Sequence, residues 1–351
     1  MSATVDRGRP GRRRPTIADI AGLAGVSSGA VSYALNGRPG VSSETRKRIL
    51  AVADEIGWRP NAAARALSVS RAHAVGWVIA RAVPTWGVEP FYMQLISGME
   101  AELSAARTAL VLQVVEDHDA AIEAIRQWWA ERRIDGVILT DIWSKDARVQ
   151  VLDELGIPAV LIGRPVPGSA LPGVWSDESI AVAAVVDYLV ALGHRRIARV
   201  SGLEELEHTQ RRTEAFLAAV ARHGLPTPHV LVTDYSRDQG AQATRSLLTR
   251  TDRPTAITFD NDVMAVAAVG VAKEFGLSVP DDLSIVAGDD SELCVLISPS
   301  LTALSRDVVA YAGHAARVLL QAVDGSGPSS FQDASPQLVV RASTAPARSS
   351  N

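Results

Sequence analysis

The spacing of apolar positions changes character near residue 73. Before it, apolar residues recur every three or four positions in short stretches. Ile17, Ile20, Ala21 and Ala24 share one face of a first predicted helix, and Val31 and Leu35 one face of a second. Ile49, Val52, Ala53 and Ile56 share one face of a third. Polar residues that start helices stand at the right places. Thr16 with Asp19 three positions on makes a capping-box pattern, Ser27 caps the second helix, and Ser42 opens the third with Glu44 in its first turn. Gly25-Val26 makes the turn between the first two. Two short helices meeting at a Gly-containing turn, covered by a third, is a helix-turn-helix, whose usual partner is duplex DNA. A small helical domain without nucleic acid fits the bare pattern as well.

After residue 73 short apolar runs alternate with longer amphipathic stretches. The runs are 74–80, 109–115, 136–140, 159–162, 197–200, 230–233, 256–259 and 285–287. Helical stretches lie between them, among them 91–106, 178–192, 211–223 and 261–275. Strand and helix in alternation predict parallel α/β sheets. Eight or so strands over about 270 residues are better divided into two lobes than forced into one sheet.

Composition narrows the class. With 47% apolar and 21% charged residues the chain reads as an ordinary globular protein. Neither a run of the ~20 apolar residues a membrane helix needs nor a signal-peptide pattern is visible. Cys294 stands alone, so neither a disulfide nor a Cys/His metal spacing is expected. No membrane partner, metal or cofactor is therefore expected, and the cytoplasm, on the nucleoid, is the natural location. Charge is uneven. Twelve Lys/Arg face five acids through residue 72, a surplus of seven, so the formal net charge of −4 leaves −11 for the remainder. A basic head on an acidic body suits a head that meets phosphate. Residues 1–14, with Arg12-Arg13-Arg14, read as a disordered basic arm that adds non-specific attraction to DNA.

The motifs of the head, Thr-Ile-x-Asp-Ile-Ala from Thr16, Ala-Gly-Val-Ser ending at Ser27, Val-Ser-x-x-Leu-Asn-Gly from Val31 and Arg-Pro-Asn-x-x-Ala-Arg-x-Leu ending at Leu67, closely resemble the DNA-binding head of the lactose-repressor (LacI/GalR) family of bacterial regulators. The body resembles the same family's sensor, which is similar to periplasmic sugar-binding proteins. Matching pieces include Pro90-Phe91-Tyr92, Ile134-Asp135-Gly136-Val137-Ile138, Leu192-Gly193-His194-Arg195-Arg196 and Asp289-Asp290-Ser291. The resemblance covers about residues 16–345. It implies an all-α helix-turn-helix head over 15–60, a hinge helix and linker over 61–72, and an α/β two-lobed effector-binding body over 73–345. The chain is expected to cross between lobes near 193 and 303 and to end in a disordered tail, 346–351.

The second helix would face the major groove with Ser28, Gly29, Ala30, Ser32 and Tyr33. Many members carry long polar side chains early in this helix, but here the residues are small. Ala30 suits a thymine methyl and Tyr33 is the one long group. Asn36, Ser42 and Thr45 read as phosphate contacts, which position without specifying, and Thr16 and Ser27 complete the DNA-facing set. Residues 61–67 are too short to hold a helix alone in water. The resemblance implies that two such hinge helices pair in the minor groove, with Asn61 as cap, Ala64 at the helix contact and Leu67 as a wedge that kinks the duplex.

In the body, Tyr235, Asn261 and Asp289 each follow a predicted strand. Ligands in open α/β sheets bind beyond such carboxyl ends, so the three converge on one cleft. Arg212 is expected to open a helix beside them. Asp289 would accept two hydroxyl hydrogens, Arg212 and Asn261 would donate, and Tyr235 would stack on the apolar face of a sugar. The resemblance makes these four inducer-contact positions and adds Phe91 and Asp177. The family's usual Gly-aromatic-Asp-Asp is Ala287-Gly288-Asp289-Asp290 here, Asp290 reading as a turn or cap residue. His194 reads as a structural hydrogen bonder. Arg212 fits a carboxylate or phosphate equally well. These readings predict a homodimeric repressor on a pseudo-palindromic operator, controlled by a small effector, with a sugar as the first choice. A corepressor-type regulator fits the same residues. An exported solute-binding protein would need a signal sequence. An enzyme built on Asp260, Asp262, Asp289 and Asp290 would need a base or nucleophile at suitable spacing.

Overall fold

The computed structural model describes residues 15–58, 71–81 and 90–348. The chain divides into two compact units, residues 1–71 and 72–351. The basic arm, the hinge helix with Asn61, Ala64 and Leu67, and residues 349–351 lie outside the described residues.

The head consists of α1 (Ile17–Ala24), α2 (Ser28–Leu35) and α3 (Ser43–Glu55). Its capping follows the sequence. Thr16 and Asp19 form a reciprocal capping box, Ser27 accepts from the Ala30 amide, and Ser42 accepts from the Thr45 amide. Gly25 ends α1 at φ 65°, a left-handed conformation that glycine adopts without strain. Ile20, Ala21, Ala24, Val31, Ala34, Ile49 and Ala53 form the core, with Ile17, Leu35, Val52, Ile56 and Trp58 packed around them. Arg46 ties the loop after α2 in place by donating to the Arg38 carbonyl at 2.6 Å.

The body is built on two six-stranded sheets. The first runs β11-β5-β4-β3-β1-β2 and is parallel throughout. Its strands are β1 (Ala74–Ala80), β2 (Ala109–Val115), β3 (Gly136–Leu139), β4 (Ala159–Ile162), β5 (Gly173–Ser176) and β11 (Phe331–Asp333). Helices α4 (Pro90–Ala105), α5 (His118–Ala130), α6 (Ala147–Leu155) and α12 (Val308–Val323) cover it. The second sheet runs β12-β10-β9-β8-β6-β7, parallel except for β12. Its strands are β6 (Ile197–Ser201), β7 (Val230–Val232), β8 (Ala256–Phe259), β9 (Ser284–Ala287), β10 (Thr302–Ser305) and β12 (Gln337–Val339). Helices α7 (Glu178–Ala191), α8 (Glu207–Arg222), α9 (Arg237–Leu248), α10 (Asp262–Glu274) and the short α11 (Glu292–Leu296) belong to this lobe. The central strands are buried on both faces, which is why they read as continuous apolar runs. No single helix among the described residues is long and apolar enough to cross a membrane.

The structure corrects the expected chain path. The first crossing between lobes lies at residues 176–178, not near 193. Val182, Val185, Val186 and Leu189 of α7 pack against Phe216 and Val220 of the second lobe, so that helix cannot belong to the first. Strand β5, only four residues long and without polar alternation, hides this crossing in the sequence. The second crossing lies at 305–308, and a third, not anticipated, at 333–337 joins β11 to β12. The expected tail at 346–351 is corrected in part. The Ala347 amide donates to the Leu192 carbonyl at 2.8 Å, and Arg348 pairs with Asp281 and Asp282. His194 bridges Thr255 Oγ1 and the Ala345 carbonyl, a structural role.

Candidate nucleic-acid interface and ligand cleft

The first turn of α2 is the head's candidate reading surface. Ser28, Gly29 and Tyr33 are exposed, and Ala30 and Ser32 are half-buried, while Val31 and Ala34 on the opposite face are buried. Thr16, Ser27, Asn36, Ser42 and Thr45 also lie at least partly on the surface. The Asn36 amide donates to the Ser32 carbonyl at 2.9 Å, and the Ser42 hydroxyl to Thr45 Oγ1 at 2.8 Å. Their side chains therefore hold the helix ends together as well as facing outward.

In the body, the carboxyl ends of strands from both sheets meet at a cleft between the lobes. The cavity between its walls measures about 120 Å³. Arg81 follows β1, Asp141 follows β3, and Trp175 and Ser176 end β5. From the second lobe come His208 and Arg212 on α8 and Asp289 after β9, while Glu178 and Arg306 stand at the crossings.

The charges of this cleft pair off. Arg81 donates twice to Asp141, both bonds at 3.1 Å, and Tyr92 Oη donates to the same carboxylate at 2.7 Å. Burial opposes ionisation of Asp141, but the Arg81 guanidinium outweighs it and holds its pKa at about 2. Glu178 sits between Arg212, which bonds it directly, and Arg306 at 2.6 Å. These two cations overcome burial and hold the Glu178 carboxyl well below the usual range. Arg212 also lies 3.8 Å from Asp260, and Arg306 3.7 Å from Asp289. Arg164 faces Asp177 at 3.6 Å, and Arg211 pairs with Glu207. Asp289 goes the other way. Burial raises its pKa to about 6 against the pull of Arg306 and Arg212. Burial, reinforced by Arg212, lowers His208 to about 4, so it is neutral near pH 7.

Beside the cleft the lobes touch through backbone and side chains. The Glu207 amide donates to the Ile142 carbonyl at 2.9 Å, Trp143 forms an antiparallel bridge with Leu206, and Ser144 Oγ donates to Gln210 Oε1 at 2.6 Å. The loop that makes this clasp is held rigid by Arg148. Its buried guanidinium bonds Asp146 at 2.6 Å and the Thr140 and Asp141 carbonyls at 3.1 and 2.8 Å.

Of the six residues expected to hold a ligand, Phe91, Asp177, Arg212 and Asp289 line the cleft. Arg212, however, does not open its helix. That helix starts at Glu207, so Arg212 stands in its second turn. Tyr235 and Asn261 are corrections. Tyr235 is 5% exposed, its hydroxyl is bonded to His208 Nε2 at 3.0 Å and to Thr209 Oγ1 at 2.8 Å, and the Arg81 guanidinium covers its ring at 4.7 Å. It supports the cleft from beneath. Its backbone, at φ 70°, is strained for a tyrosine, and Gly202 is required beside it because a Cβ there would fall 1.8 Å from the ring. Asn261 is 3% exposed, caps α10 through the Met264 amide and donates to the Tyr235 carbonyl at 3.0 Å. Asp290 is held by Arg341 at 2.8 Å rather than acting as a cap.

Sequence reasoning missed Arg81, Asp141, Glu178, His208, Trp175 and Arg306. Arg81 and Asp141 carried a legible signal, since each immediately follows a predicted strand or its last residue. Glu178 and Arg306 had none, because their role depends on where the chain crosses.

Comparison with known proteins agrees with both units. Residues 16–61 match the model of the bacterial regulatory proteins of the lacI family, and residues 186–344 that of a periplasmic binding protein-like domain. The HTH-type transcriptional regulator CelR of Thermobifida fusca is 32% identical over 318 residues, 90% of this chain and 93% of that protein. A solved structure of the CelR–cellobiose complex superposes with a TM-score of 0.72 at 29% identity, covering 94% of this chain and all of that one. The lac repressor dimer bound to operator and the anti-inducer ONPF superposes at 0.83 and 25% identity, over 95% of this chain and all of the other. A basic helix-turn-helix head, a two-lobed body with a charge-lined cleft and likeness to these regulators over nine-tenths of the sequence together place the chain in the LacI family of bacterial transcriptional regulators.

Proposed function

We propose that this protein is a repressor whose affinity for a pseudo-palindromic operator is set by a small sugar bound in the cleft of its body. The observation that carries the reading is the cleft itself: a polar, ion-paired site at the carboxyl ends of two sheets, on the same chain as a capped helix-turn-helix with an exposed first turn. Asp289, Arg212 and Phe91 line this cleft; Asp289 would accept sugar hydroxyls, Arg212 would donate, and Phe91 would pack on an apolar ring face. The cellobiose found with CelR supports a saccharide as the ligand class. Because the small residues Ser28, Gly29 and Ala30 give each head few base contacts, two heads on a symmetric site are needed for tight binding. The body offers a surface for such a dimer on α11, where Leu296 is 79% and Val295 54% exposed. Cytoplasmic location follows from this function.

Ligand in the cleft and operator at the head are coupled, and by linkage each changes the other's affinity by the same factor. Fluorescence anisotropy of labelled DNA from beside the protein's own gene tests the reading, with saccharides titrated in at moderate ionic strength. Release of a palindromic fragment on adding sugar is the expected result. Tightening would assign corepressor behaviour instead. No preference for any palindromic fragment over bulk DNA, with or without sugars, would refute the proposal.

A further inference from the structure

The ion pairs of the cleft restrict what it can hold. Five arginines and five carboxylates line it, and every one has an opposite charge within 4 Å: Arg81 with Asp141, Arg164 with Asp177, Arg211 with Glu207, and Arg212 and Arg306 with Glu178 and Asp289. His208 is neutral near pH 7. The described wall is therefore balanced. Of these residues, Arg81, Arg212 and Arg306 and their carboxylates are largely buried, so a ligand carboxylate or phosphate reaching them would have to draw an arginine from a desolvated partner and leave that partner uncompensated, which is costly. An uncharged, hydroxyl-rich ligand needs no such exchange.

What the wall leaves open is neutral as well. At the end of β5, Trp175 Nε1 and Ser176 Oγ are both buried from solvent and have no hydrogen-bond partner among the described residues. Both residues line the cleft, and Ser176 is only 9% exposed. Leaving buried polar atoms unpaired costs stability, so a pair of them at one strand end is where a ligand's oxygens would be expected. Tyr235, the aromatic residue expected to stack on a sugar, cannot do so here, since its ring is covered by Arg81 and its hydroxyl is taken. The indole of Trp175 stands on the other lobe, flanked by Arg164 at 5.8 Å.

We infer that the cleft is specific for an uncharged saccharide, over sugar acids and sugar phosphates, and that Trp175 and Ser176 of the first lobe are its specificity-determining residues. Trp175 supplies an apolar face and one N–H donor to a ring or hydroxyl oxygen. Ser176 supplies a hydroxyl that both donates and accepts. Arg212 and Arg306 hold Glu178 in place and do not capture an anion. This inference rests on the proposed sugar-controlled function but concerns only what the cleft binds.

Calorimetry on the full chain tests it, using matched probes: cellobiose against cellobionate, glucose against glucuronate and glucose 6-phosphate, and galactose against galacturonate. A neutral member should bind at least about tenfold more tightly than its acidic counterpart. Trp175→Phe, which keeps the aromatic ring but loses the N–H, and Ser176→Ala should each weaken that binding by about tenfold or more. Ser176→Ala should melt, without ligand, at the wild-type temperature or above, because it removes an unpaired polar atom without opening a large void. Two results would overturn the inference: an acidic probe binding more tightly than its neutral counterpart, or an unliganded Ser176→Ala chain melting several degrees lower. Neutral-sugar binding that leaves operator affinity unchanged would instead refute the regulatory reading and leave this one standing.

Discussion

Glu178→Gln tests the electrostatic logic of the body most directly. The wild-type carboxylate is 15% exposed and sits between the guanidinium groups of Arg212 and Arg306, each 11% exposed. The amide keeps the shape but removes the charge, leaving two cations facing each other across the crossing between lobes. Breaking one partner of a buried pair costs about 3–5 kcal/mol. Here each arginine keeps a second carboxylate at longer range, Asp260 at 3.8 Å and Asp289 at 3.7 Å. The net loss should therefore be smaller, about 2–3 kcal/mol. A body this large shifts its melting midpoint by about 2 °C per kcal/mol, so a fall of about 4–6 °C is expected in differential scanning calorimetry. The sign with pH follows from the depressed carboxyl. Glu178 has an ordinary value of 4.5 and is held well below it in the fold. Its contribution is complete above 4.5 and is lost as pH falls through the folded value. The gap between variant and wild type should thus be full at pH 7 and narrow in acid. The variant also leaves the cleft with one uncompensated positive charge and should gain affinity for glucuronate. A midpoint within 1 °C of wild type at pH 7, together with no gain in glucuronate binding, would refute the assignment of Glu178 as the clamp.

Other perturbations read other parts of the molecule. Asp289, with its pKa raised to about 6, should accept sugar hydroxyls fully only when ionised. Saccharide affinity should then rise between pH 5 and pH 7 with a midpoint near 6, and isothermal titration should find that step absent in Asp289→Asn. Thr16→Ala removes the side-chain half of the capping box, the hydroxyl that accepts from the Asp19 amide, and should destabilise the head by about 1 kcal/mol, seen as an earlier loss of operator binding on heating while sugar binding persists. Leu296→Asp places a charge on an exposed apolar face of α11 and should shift the protein from dimer to monomer in analytical ultracentrifugation. An unchanged sedimentation coefficient would move the interface elsewhere.

The head was legible almost to the residue because its information is local. Helix caps, a glycine turn and three- and four-residue spacing all lie within about forty positions, and tertiary packing only repeats what they specify. Several strands were equally legible. Runs at 74–80, 159–162 and 256–259 coincide with β1, β4 and β8, because burial on both faces leaves no room for polar residues. The run at 109–115 coincides with β2, an edge strand that is partly exposed. The short strands β5, β10, β11 and β12 were not legible. Three or four residues give no period, and what makes them strands is a neighbour far away in sequence, as Phe331 against Val174. The cleft failed for a related reason. Position after a strand located Asp289 and Asn261 equally well, but the sequence does not say that Asn261 spends its side chain capping α10. Nor does it say that Arg81, from the other lobe, lies over Tyr235.

The order in which the polypeptide leaves the ribosome acquires a meaning from the three crossings. The head's packing reaches as far as Trp58, so it is complete once that residue has emerged, and such a unit folds as soon as it is free. The first lobe still lacks α12 and its edge strand β11 until residue 333, and the second lacks β12 and the Ser343 hydroxyl that bonds the Ile285 carbonyl at 2.6 Å. Neither half of the sensor is finished until residues 331–343 have emerged, so the nascent protein owns a reader of DNA long before it owns the part that can tell it to let go.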